Sequence, residues 1–92
     1  MDLTNKYNQL ISTRQKMLRA KGKDIYYESH HIVPKCMGGS NDKENLVLLT
    51  FKEHIFAHYF LHKIYPENRG LSFSFFRTVF GNTKLSMSKT KC

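Results

Sequence analysis

The sequence predicts an α+β fold: a two-stranded hairpin packed on a helix, flanked by an N-terminal helix and a short C-terminal helix. Three observations carry this. Apolar residues at helical spacing fill the stretch before Gly22, a β-branched and aromatic run leads up to Pro34, and a helix-capping pattern opens at Thr50. At 92 residues the chain is one small domain, a size that often leans on a metal, a disulfide or a partner for stability.

Leu3, Tyr7, Leu10, Ile11, Met17 and Leu18 recur at helical spacing, so a helix is expected over residues 4–21. Arg19, Lys21 and Lys23 cluster near its end, where cations complement the helix dipole, and Gly22 supplies a stop. Residues 25–33 read as a strand, with Tyr26, Glu28, His30 and Ile32 on one face and Tyr27, Ser29, His31 and Val33 on the other. Pro34 ends the pairing because it has no N–H to donate. Gly38-Gly39 followed by Ser40, Asn41 and Asp42 is turn chemistry, and residues 35–44 are expected to loop. Residues 46–49 form a second strand, giving a hairpin with a long connection.

Thr50 and Glu53 have the spacing of a capping box and begin a helix over 51–65, which Pro66 stops. Leu71, Phe73 and Phe75 alternate like a strand, while Phe76, Val79 and Phe80 fit a helix; a short helix packed on the core is expected over 71–80. The Lys- and Ser-rich residues 83–92 are expected to be disordered, which leaves 1–82 as the single domain.

Fifteen Lys and Arg against seven Asp and Glu give a net charge of +8. The resulting pI near 9.7 suits a nucleic-acid partner, with plain solubility or an anionic surface as the blander explanations. No apolar run approaches ~18 residues, so no membrane span is expected. Lys6, Asn8 and Gln9 interrupt the N-terminus, so no secretion signal is expected either. The two cysteines, Cys36 and Cys92, make no C-x-x-C pair. Neither a disulfide framework nor a thiolate zinc site is therefore expected, as suits a cytoplasmic protein.

All but one of the five histidines fall in two ordered pairs, His30-His31 and His54…His58. A single histidine is usually a satisfied surface or core residue. Two at i and i+4 share one helix face, and one more from the strand makes three imidazoles with an open coordination position. That is the layout of a catalytic metal site, and the remaining histidine beside it can deprotonate water. His62 lies about 12 Å along the helix from His54, too far to share an ion with both, and is read as a surface or phosphate-contacting residue.

Glu28-Ser29-His30-His31-Ile32-Val33-Pro34, Gly38-Gly39, Asn45-Leu46 and His54-Ile55-Phe56-Ala57-His58 resemble the HNH endonuclease family in residue type, order and spacing, over about residues 25–65. The E-x-H-H and H-x-x-x-H elements look like colicin-type DNases, and the wording around Gly-Gly-Ser-Asn looks like small phage-type HNH or homing endonucleases. The resemblance implies the ββα-metal fold and hydrolysis of DNA phosphodiester bonds with one divalent metal ion. It implies that His30, His54 and His58 ligate the metal and that His31 is the general base. Asn45 would hold the loop that orients His31, and Glu28 would accept from a ligand imidazole. Three imidazoles favour Zn²⁺ or another transition ion, while Mg²⁺ or Mn²⁺ remain compatible with a phosphate-exposed site. Arg14, Lys35, Lys52 and Arg69 are expected to grip flanking phosphates of double-stranded DNA, from their charge and position. Family members often carry C-x-x-C zinc motifs, and this chain has none. It also shows no separate DNA-reading domain. Monomer and homodimer are both open on this reading. Its competitors are a non-catalytic, metal-stabilised nucleic-acid-binding module and a small protein whose histidines only pack.

Overall fold

Leu3–Gln15 forms α1, and Asp2 caps it by accepting the Thr4 N–H at 3.0 Å. Glu28–His31 forms β1, Leu46–Leu49 forms β2, and two 3₁₀ turns, Lys35–Met37 and Lys43–Asn45, lie between them. Phe51–Ile64 forms α2 and Arg69–Val79 forms α3. This computed structural model describes residues 2–22 and 24–80; the tail at 83–92 lies outside them. The α+β order of helix, hairpin, helix and helix is the expected one. No helix among the described residues is long and apolar enough to cross a membrane. The expectation about disulfides turns on Cys92, outside the described residues, while Cys36 is not a free thiol.

The strands pair antiparallel, with Glu28 opposite Leu49, Ser29 opposite Leu48, His30 opposite Val47 and His31 opposite Leu46. Residues directly opposite share a face. Val47 and Leu49 are buried, so that face points inward and meets Tyr7 and Ile11 of α1, Ala57 and Leu61 of α2 and Leu71 of α3. The paired part of β1 is shorter than the expected 25–33. Thr50 leaves the ladder to cap α2, so among the described residues Ile25 and Tyr26 have no strand beside them, and they stay exposed. At the other end the Asn45 side chain takes over pairing from the strand, at Val33.

α1 also stops at Gln15, well before residue 21, and Gly22 plays no part in the stop. Leu18, 87% exposed, turns the chain instead in the left-handed region at φ 51°. That turn delivers Arg19 to Glu53, where Nη1 donates to Oε1 at 2.5 Å and to Leu48 O at 3.2 Å. A left-handed leucine costs about 1–2 kcal/mol, and glycine loses ~0.5–1 kcal/mol of that gain to backbone entropy. Leu18→Gly should therefore stabilise the fold by about 0.5–1 kcal/mol. A melting midpoint unchanged or lowered in that variant argues against strain at this turn.

Glu53 ties three segments together. It closes the capping box with Thr50, accepting its N–H at 2.9 Å, and pairs with Arg14 Nε at 2.8 Å as well as with Arg19. The Arg19 hydrogen bond is the main reason its carboxyl is lowered from 4.5 to about 2, and burial opposes the shift. A depressed carboxyl contributes stability that is fully present above its unfolded value and is lost as pH falls through the folded value. After discounting for solvent screening, this is worth about 1–2 kcal/mol, lost between pH 4.5 and pH 2. Glu53→Gln should flatten that part of the stability–pH curve, which denaturant titrations at stepped pH measure directly. An unchanged slope in the variant would assign the acid sensitivity elsewhere.

Candidate active site

The period-two pleat puts Glu28 and His30 on the inward face of β1, toward α2. On α2, His54 and His58 are one turn apart and share a side. The ligand-capable atoms of His30, His54 and His58 all lie within 4.8 Å of one another. His30 is 2% exposed and His58 6%, and the His30 ring stands edge-on to both others at 5.1 Å between centroids.

Burial is the chief cause of a lowered pKa in all three. His30 lies well below 6.5, His58 is pushed down to about 3, and His54 is lowered although Glu28 opposes the shift. All three are thus neutral at pH 7, the form that binds a metal. Glu28 Oε1 lies 2.5 Å from His54 Nδ1. The carboxylate can only accept, so His54 carries its proton on Nδ1 and a bare pair on Nε2. That bare pair faces His58 Nε2 at 3.0 Å. If His58 donates from Nε2, its buried Nδ1 is a lone pair without a donor; if Nε2 is bare, two lone pairs face each other. Among the described residues His58 Nδ1 has no hydrogen-bond partner in either case. The buried set is short of a positive group, and three neutral imidazoles with converging nitrogens can hold a divalent cation.

His31 lies beside this triad. A cleft of about 280 Å³ is lined by Ser29, His30, His31, Lys35, His54, His58, Arg77 and other residues. His31 Nε2 is 2.8 Å from Asn41 Oδ1, an acceptor, so the ring proton sits on Nε2 and Nδ1 is the basic nitrogen. Asn45 braces the loop that follows His31 and carries Asn41. Its Oδ1 accepts the Val33 N–H at 2.8 Å, and its Nδ2 donates to Val33 O at 3.0 Å and Ser40 O at 2.8 Å. The loop closes so tightly that a Cβ on Gly39 would stand 1.7 Å from Val33 O, and Gly38 takes φ 91°. The Gly-Gly pair is needed for both reasons.

Of the basic residues proposed from sequence, Lys35 lines the cleft; Arg14, Lys52 and Arg69 do not. Arg14 is engaged with Glu53. His62, read as a surface or phosphate-contacting residue, instead joins α2 to α3: its ring stacks on Phe75, and its Nδ1 lies 2.9 Å from Ser72 Oγ. Sequence reasoning missed Asn41, Arg77 and Tyr7. Asn41 was hidden among turn residues and Arg77 in a helix read as packing. The charge of Arg77 helps to lower both His54 and His58. Tyr7 sat in an apolar stripe, where its hydroxyl was the one sign that it needs a polar partner.

Comparison with known proteins finds relatives in a phage. The chain is 53% identical to probable mobile endonuclease E of Enterobacteria phage T4 over 70 residues, covering 76% of this chain and 47% of that protein. It is 44% identical to probable mobile endonuclease D of the same phage over 75 residues, 80% of this chain and 29% of that one. It is also 34% identical over 87 residues, 95% of this chain and 24% of the relative, to an uncharacterised 38.5 kDa protein in psbA intron 1 of Chlamydomonas moewusii. The chain thus spans between about a quarter and a half of the length of these relatives. No family model and no solved structure matches it.

Proposed function

We propose that this chain is a metal-dependent endonuclease domain of the HNH kind, hydrolysing phosphodiester bonds of DNA. The observation that carries the reading is the convergence of three neutral imidazoles within 4.8 Å, beside a fourth that stays outside the triad. The phage relatives named mobile endonucleases support the same class of chemistry. The domain is residues 1–82, with the ββα unit at 25–65.

His30, His54 and His58 hold the ion. On ligand softness the ion is Zn²⁺ or another transition metal. When bound, it supplies Lewis-acid stabilisation of charge developing on the scissile phosphate. Glu28 holds the His54 ring with its Nε2 pair turned inward. Asn45 fixes the loop, and Asn41 turns His31 so that Nδ1 can take the proton of an attacking water. Lys35 and Arg77 line the cleft and place positive charge where substrate phosphates would lie.

Nicking of supercoiled plasmid, with and without chelator, tests the reading. Nicking that chelation abolishes and added metal restores is expected. Tight DNA binding without cleavage would instead leave a metal-stabilised binding module. Protein that neither contains metal nor cuts leaves histidines that merely pack.

A further inference from the structure

Tyr7 is buried at 5% exposure on α1, outside the hairpin and helix that supply the triad. Its hydroxyl has one proton, which it donates to Ile32 O at 2.7 Å. His30 Nε2 lies 2.8 Å from the same oxygen. Only lone pairs remain on that oxygen for His30, so Nε2 must bring the proton and Nδ1 keeps the bare pair. The backbone fixes the outcome: Ile32 O can only accept, so the hydroxyl cannot reverse without breaking one of its two bonds.

Which nitrogen of a ligand histidine binds is set by the hydrogen bond its other nitrogen makes. We propose that Tyr7 is the positioning residue for His30, selecting Nδ1 as its coordinating atom and making α1 part of the metal centre. This rests on the triad being a metal centre. His30 and His54 are then held in opposite senses. Glu28 takes the Nδ1 proton of His54 and frees Nε2, while Tyr7 takes the Nε2 proton of His30 and frees Nδ1. Tyr7 does this without adding a second negative charge. It also hangs on the core, because Tyr7 and Ile11 pack with Leu61 and Val47. The functional unit therefore extends beyond residues 25–65 to α1.

The test uses the full chain. In metal-free, ¹⁵N-labelled wild type, long-range proton–nitrogen spectra should show His30 protonated on Nε2; protonation on Nδ1 overturns the proposal. Tyr7→Phe keeps the ring and removes the oxygen. It should weaken Zn²⁺ binding about 10–100-fold, measured by competition with a chromophoric chelator. It should also let His30 populate both tautomers. Ile11→Val, one turn along the same buried side of α1, should lower the melting midpoint and leave Zn²⁺ affinity unchanged. If Ile11→Val loses as much affinity as Tyr7→Phe, the effect is only packing and the proposal fails. If wild type binds Zn²⁺ and Tyr7→Phe binds it equally well, the Tyr7 role falls and the metal centre stands. If wild type binds no metal, both fall.

Discussion

His31→Ala should cut plasmid about 10²–10⁴-fold more slowly than wild type while keeping its metal and its fold, the usual worth of a positioned general base. The geometry separates the two properties. The ligand atoms of His30, His54 and His58 form a closed set without His31, and His31 is only half-buried, so its loss empties little of the core. Asn45 remains to hold the loop, through three bonds to backbone at Val33 and Ser40. His54→Ala should behave differently. It deletes a nitrogen of the triad and leaves the Glu28 carboxylate without its imidazole, so metal content and cleavage should fall together. Metal content by mass spectrometry, set beside nicking rates, distinguishes the cases. A metal-free His31→Ala beside a metal-bearing His30→Ala would exchange their two roles. Wild-type cutting by both would end the nuclease reading.

Stripping the metal with a chelator should lower the melting midpoint on the order of 10–30 °C. An ion bound only by the folded state, at 100–1,000 times its dissociation constant, adds ~2.7–4.1 kcal/mol. In a domain this small, each kcal/mol shifts the midpoint by about 4–8 °C. Acid should lower the stability of the metal-free protein further. The unfolded chain takes up protons on its histidines below about pH 6.5, while burial keeps His30, His54 and His58 neutral in the folded chain. Metal-free protein should therefore lose stability as pH falls from 6.5, before Glu53 begins to respond near 4.5. Calorimetry on protein with measured metal content, at pH 7.5 and pH 5.5, gives both readings. Equal midpoints with and without the ion at pH 7.5 would mean that it does not bridge β1 and α2.

Features written in short-range chemistry were legible in the order of the residues. The Thr50–Glu53 capping box, the stop before Pro66, the Gly38-Gly39 loop and the one-turn spacing of His54 and His58 depend on neighbours in the chain, so residue order alone determines them. The same order delivered the α+β class and the list of histidines. The strand ends and the close of α1 were not legible, because partners distant in sequence decide them. Glu53 draws Arg19 in and turns Leu18 against its own preference, and α2 takes Thr50 away from the hairpin. The wiring of the site was equally hidden. Alternation places His30 and His31 on opposite faces, yet both line one cleft. Their ring protons are set by Tyr7 and Asn41, residues that periodicity classes as core and turn. The sequence alone determined which histidines are available to the proposed site. Only the tertiary structure decided which nitrogen of each is bare, because a tautomer depends on what the packed chain brings within 3 Å.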